Sequence, residues 1–163
     1  MGIECRLFAI AGNTARQLIA DPSRAGPTLM RGNGANGCNI HKAWHAIHWV
    51  LTGRPDGGRE PNCFLLQGGA MLGRPTRDYD PPRVLSPEQV TAFDGVLQPI
   101  SRLSVMRARF DHQAMAQAEI YSINEGEENE AEDLEFTAEF FKLLRRFIHE
   151  AATKGDGIII TIG

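Results

Sequence analysis

The sequence predicts an α+β fold: a single mixed domain in which a small sheet, containing the N- and C-terminal strands, packs against several helices. Three observations carry this expectation. Glu4 to Ile10 alternates in polarity, Gly157 to Ile162 is a β-branched run, and the chain between them shows helical apolar periodicity, clearest over 40–52 and 133–153. A chain of 163 residues has enough material for one core and little for two, so 1–163 is read as one domain. Its composition, 42% hydrophobic, 23% charged and 7% aromatic, excludes disordered and collagenous classes. The longest apolar run, Ile158 to Ile160, falls far short of the roughly 20 residues that span a bilayer, so no membrane partner is expected.

The net charge is −3, from 17 basic and 20 acidic residues, so no overall positive field recruits a phosphate backbone and nucleic acid is not an expected partner. The charge is uneven: residues 1–120 hold 13 Lys and Arg against 10 Asp and Glu, whereas 121–163 hold 4 against 10. Cys5, Cys38 and Cys63 are odd in number and too sparse for a disulfide scaffold. The opening Met-Gly-Ile-Glu-Cys-Arg lacks the apolar stretch of a signal peptide, and Arg6 stands where a myristoylation motif requires Ser or Thr. A reducing cytoplasmic location is the expectation.

The elements follow in order. Glu4 to Ile10 reads as a strand with Cys5, Leu7 and Ala9 on one side, and Asn13 or Thr14 is expected to cap a short helix ending at Asp21-Pro22. Pro22 to Asn39, rich in Gly, Pro and Asn, reads as a loop. A helix is predicted from Ile40 to Thr52, because Ile40, Trp44, Ile47 and Leu51 share one stripe at about 100° per residue and Gly53 suits its left-handed end. Arg54 to Pro82 is irregular, with Cys63-Phe64-Leu65-Leu66 as a short strand or buried turn. Ser86-Pro87-Glu88-Gln89 is a capping box with Pro at the first helical position; the helix it starts runs to Leu97 with Val90, Phe93 and Leu97 inward. Helical pieces follow at 101–110 and, capped by Asp111, at 112–119. Eight acidic residues and no basic one lie between Glu125 and Glu139, whose first half reads as a solvated loop. A long helix is then predicted from Asp133 to Thr153, with Phe136, Phe140, Leu143, Leu144, Phe147 and Ile148 inward and Asp133 and Glu135 complementing its dipole.

Several of these segments together are similar to one known family. They are Met1-Gly2-Ile3 leading into a strand, the stretch Lys42 to Gly53 with its Lys-x-Trp-x-x-Ile-His-x-x-Leu-Thr-Gly pattern, the Gly68-Gly69 pair and Arg83 to Val90. Phe110-Asp111, Ile120-Tyr121 and the closing strand complete the set. In that order, over nearly the whole chain, they resemble the YfbM-like family of small bacterial proteins of unknown function. The resemblance implies a bacterial single-domain mixed α/β protein and brings no activity with it. His41 and the Gly32 to Gly37 loop depart from the family pattern.

Chemistry-bearing residues concentrate on the predicted Ile40 helix. His41, His45 and His48 at i, i+4 and i+7 fall within about 60° of arc, the spacing at which imidazoles can share a metal. Against this stands a packing role in which His48 lies beside Trp44, bonded to a backbone carbonyl, while His41 and His45 face solvent. No HExxH pattern supports the metal, and no cofactor is expected. Cys38, just before the predicted helix start, is a candidate thiolate nucleophile or, more simply, a small buried hydrophobe. Gly32-x-Gly34-x-x-Gly37 matches a dinucleotide fingerprint literally, yet lacks a preceding strand and an acidic strand end, so simple anion capture at the helix start ranks above a dinucleotide site. Trp44 and Trp49 point about 140° apart, so both cannot enter one core; an exposed Trp49 would anchor a partner, and burial of Trp49 under the Arg54 to Arg83 loop is the alternative. Tyr121 is a candidate general acid or a core-edge residue.

The leading functional expectation is a noncatalytic protein- or ligand-binding module that uses Trp44, His48, Trp49 and Arg83, with the 54–83 loop and the acidic run as contact surface. Its partner is another protein, with a second copy of the chain as one candidate. The alternative is a small hydrolase-like enzyme built on a His/Trp pocket around Trp44 and His48, with or without a metal, which requires that solvent reach His48.

Overall fold

The structure, a computed structural model, describes residues 2–26, 29 and 36–163. Five strands form one antiparallel sheet: β1 (Cys5–Ile10), β2 (Gly37–His41), β3 (Ala70–Met71), β4 (Arg83–Leu85) and β5 (Gly157–Ile162), in the spatial order β2-β1-β5-β4-β3. The two chain ends thus lie side by side at its centre, with Leu7 opposite Ile160 and Cys5 opposite Ile162. The α+β expectation holds, as does the inclusion of both terminal strands in the sheet; their central place in it was not foreseen.

Helices cover both faces. Strand alternation sends Cys5 and Leu7 of β1 and Ile158 and Ile160 of β5 to the larger core, which is closed by α2 (Trp44–Thr52), α3 (Pro87–Leu97), α4 (Leu103–Arg107), α5 (His112–Gln117) and α6 (Glu130–Lys154). The intervening Phe8, Ile10, Val84 and Ile159 turn the other way, into a smaller cluster under α1 (Gly12–Ala20). Burial on both faces explains why β5 reads as a continuous apolar run. Helix and sheet meet tightly there, since a Cβ on Gly157 would collide with the Cβ of Ala15. Each fully buried Leu or Ile of these clusters contributes roughly 2 kcal/mol through area removed from water. No helix of the described residues is long and apolar enough to cross a membrane.

Local chemistry accounts for most boundaries. At α3 the Ser86 hydroxyl accepts from the Gln89 amide at 3.1 Å while the Gln89 side chain accepts from the Ser86 amide at 2.9 Å, so the capping box forms. Asp111 caps α5 by accepting from Ala114 N. Gly53 and Gly155 end α2 and α6 in the left-handed region, φ 70° and 69°.

Four expectations are corrected. First, Gly37–His41 is a strand paired with β1, and the helix begins only at Trp44. Ile40 is fully buried from the strand; its agreement in phase with Trp44 is coincidental, because His41 (φ 47°) turns the chain between them. Second, α1 starts two to three residues early on Ala11, which makes no side-chain cap, so neither Asn13 nor Thr14 caps it. Third, α6 begins at Glu130 and its buried stripe is Leu134, Phe141, Leu144, Ile148 and Ala151, with Phe136, Phe140, Leu143 and Phe147 half-buried beside it. Fourth, with α6 starting at Glu130, Glu135 falls beyond its first turn; Asp133 lies in that turn as expected of a dipole partner and is also buried in a hydrogen-bonded cluster.

Candidate functional site

The turn out of β2 builds one wall of the site. Asn39 Oδ1 accepts from the His41 amide at 2.8 Å, the chain reverses, and α2 starts with Trp44 lying over the N-terminal segment. Trp44 Nε1 donates to the Ile3 carbonyl at 3.2 Å, and the Ile3 amide donates to Tyr121 Oη at 2.9 Å. The indole stacks on the His45 ring, with centroids 4.8 Å apart, and on Tyr121 at 5.8 Å. His45 is spent in this platform: Nε2 donates to the Pro55 carbonyl at 2.7 Å, and Nδ1 accepts from the Tyr121 amide at 2.9 Å. Burial pulls its pKa below 6.5, so the ring is held neutral.

Beside this platform lies a cavity of about 250 Å³. The sheet contributes Arg83, Ile160 and Ile162, Trp44 and the turn through Gly68 and Gly69 stand on its sides, and Met71, Asp80 and Pro81 complete it. The turn requires its glycines. Gly68 and Gly69 take φ of 90° and 74°, and a Cβ on Gly69 would lie 2.5 Å from the Val84 carbonyl oxygen. Arg83 explains why the turn closes: Nη1 donates to the carbonyls of Phe64 and Gly68, both at 3.0 Å, and Nη2 to that of Leu65 at 2.6 Å. The residue is 8% exposed, and among the described residues no carboxylate lies within ion-pair distance of it. Burial lowers its pKa, with the more distant Asp80 acting against that shift.

The remaining candidates disperse. His48 is fully enclosed at 0% exposure, so the solvent access demanded of a general acid or base does not hold. Among the described residues neither of its ring nitrogens has a hydrogen-bond partner, the Gly57 backbone approaching without bonding geometry. Burial, then repulsion from His45 once acid protonates that ring, lowers its pKa to about 4. Its expected place beside Trp44, bonded to a carbonyl, is taken by His45 instead. His41 belongs to β2, where Nδ1 meets Glu4 Oε1 at 3.2 Å and the ring packs edge-on to Phe140. Among the described residues no group of three or more metal-binding side chains forms, the three imidazoles included.

Cys38 also lies in β2 and not at a helix start; burial raises its thiol to about 11, the reverse of thiolate activation. Gly32 and Gly34 lie outside the described residues, while Gly37 opens a strand, so the helix required by a dinucleotide fingerprint is missing. Trp44 and Trp49 are both half-buried against the main core, so, contrary to expectation, one core takes both and neither is the fully exposed anchor. Tyr121 is half-buried with its hydroxyl bonded to the N-terminal segment.

Sequence reasoning missed a second polar cluster. His112 Nε2 lies 2.9 Å from Asp133 Oδ2, which also accepts from the Asn124 amide at 2.9 Å, while Asp133 Oδ1 accepts from Asn124 Nδ2 at 2.8 Å. Both His112 and Asp133 are buried. No periodicity links residues 112 and 133; the only local signal was an Asp inside the apolar register of α6.

The fold and this site together define a small α+β protein with an aromatic platform and a buried cation beside a cavity. The chain belongs to the family described as a domain of unknown function, DUF1877, which it matches over residues 1–161. Its fold is similar to the crystal structure of YfbM from Escherichia coli, a protein of unknown function, with a TM-score of 0.74 and 19% identity over 98% of this chain and 99% of that one. The YfbM-like resemblance is thus established. No curated protein matches the chain.

Proposed function

We propose that this protein is a noncatalytic binding module whose ligand site is the Trp44–Arg83 cavity. The observation that carries the proposal is the buried Arg83 cation, hydrogen-bonded to three carbonyls and without a carboxylate at ion-pair distance among the described residues, while lining an accessible cavity. Buried charges are ordinarily paired, because an unpaired one costs several kcal/mol in desolvation. A cavity of about 250 Å³ suits a small molecule or one side chain of a protein partner, and it combines apolar walls with a few convergent polar groups. The 54–83 loop takes part through Gly68, Gly69 and Asp80. Three free cysteines suit a reducing cytoplasm. The enzyme alternative loses its acid–base residue with the enclosure of His48.

Amide chemical-shift mapping against a set of small soluble fragments tests this reading. Binders are expected to shift residues 66–71 and 80–84 together with the Trp44 indole. Binders gathering instead on the groove between Cys38 and Arg146 would overturn it.

A further inference from the structure

We infer that the Trp44–Arg83 cavity recognises a carboxylate that carries a short apolar tail; the inference rests on the cavity being the ligand site. A guanidinium has five N–H donors. Carbonyls of Phe64, Gly68 and Leu65 take both protons of Nη1 and one of Nη2, which leaves Nε–H and one Nη2 proton without an acceptor among the described residues. Nε and Nη2 form the side-on edge of the fork, whose geometry matches the two oxygens of a carboxylate. The same three carbonyls hold the guanidinium in place before any ligand arrives, so little is lost in ordering it.

The rest of the lining selects among anions. Among the described residues Arg83 is the sole cationic residue lining the cavity, so the site provides for one negative charge and not for a phosphate dianion. Asp80 repels a second charge further. Trp44, Met71, Ile160 and Ile162 provide apolar surface for a tail. The volume admits only a short one.

The test titrates the full chain with isovalerate, with neutral isovaleramide of the same shape, and with inorganic phosphate, followed by amide and indole chemical shifts. Isovalerate is expected to shift the Gly68–Met71 amides and the Trp44 indole, with isovaleramide binding at least ~10-fold more weakly through loss of the charged hydrogen bonds. Phosphate is expected to leave these signals in place. An acetylated tripeptide ending in leucine separates a chain end from a free acid as the source of the carboxylate, the tighter binder identifying the source.

Arg83→Gln removes the cation but also the tie to the 64–68 turn, so two further variants keep the test open. Met71→Trp, at a position 52% exposed on the edge strand, fills the cavity mouth and is expected to abolish binding with the fold intact. Asp80→Asn removes the repelling charge and is expected to tighten isovalerate a few-fold while leaving isovaleramide unchanged. Equal binding of acid and amide would overturn the carboxylate assignment and leave the site standing; no shift at the cavity with any probe would overturn the site itself.

Discussion

The backbone amide of Tyr121 donates to Nδ1 of His45 at 2.9 Å, across 76 positions of sequence. Because Nε2 donates to the Pro55 carbonyl, both ring nitrogens are committed and the tautomer is determined by its partners. The ring therefore ties the start of α2 to the 120s segment and to the loop after α2, and it backs the indole that walls the cavity.

Nitrogen-15 spectra of histidine should accordingly show His45 as the Nε2–H tautomer near neutral pH, titrating below 6.5. Added zinc should leave its resonances unmoved, because neither nitrogen retains a free lone pair. A zinc-dependent shift of His45 in the folded protein would contradict the assignment.

His48 governs acid sensitivity. Its pKa is about 4 in the folded protein against 6.5 ordinarily, so the unfolded chain takes up the proton first as pH falls. Stability is complete above about pH 6.5 and declines toward pH 4, by about 2 kcal/mol at pH 5. His45 acts in the same direction. Urea unfolding at the two pH values measures the loss. His48→Leu should remove most of it and should not weaken the protein at neutral pH, since two unpartnered buried nitrogens disappear. An unchanged acid slope in that variant would refute the role.

Asp133→Ala should cost about 3 kcal/mol, because it strands His112 and two donors of Asn124 inside the protein. In a His112→Leu background the same change should cost less, the difference reporting the coupling. Additive losses in the double-mutant cycle would show that the two residues act independently.

Capping distinguishes two helices that look alike in sequence. Ser86→Ala should destabilise by about 1 kcal/mol through loss of the capping box, whereas Asn13→Ala and Thr14→Ala should stay within about 0.5 kcal/mol, since α1 begins on Ala11 without a side-chain cap. Thermal or urea midpoints of the three variants decide it.

What was legible in the sequence was local. The alternation of β1, the β-branched run of β5 and the Ser86–Gln89 box all depend on neighbours within a few residues, and each forms as read. Strand β2 was not legible, because its partner lies some 30 residues earlier in β1 and Ile40 happens to continue the helical phase of Trp44. The same error created the histidine stripe: His41 and His45 lie on different elements, separated by the turn at Lys42 and Ala43. The site was half legible. Trp44 and Arg83 were candidates, but their meeting with Gly68, Asp80 and Ile160 depends on the sheet order, and the carbonyl cluster on Arg83 depends on a turn that leaves no periodic trace.

The most direct measurement is the Nε–H proton of Arg83 in the folded protein, observed with and without saturating isovalerate. The account predicts a slowly exchanging side chain held by its three carbonyls, whose Nε–H signal moves downfield as the carboxylate takes up the free edge of the fork. An Nε–H signal that stays in place at saturation, while the ligand binds elsewhere, would contradict it.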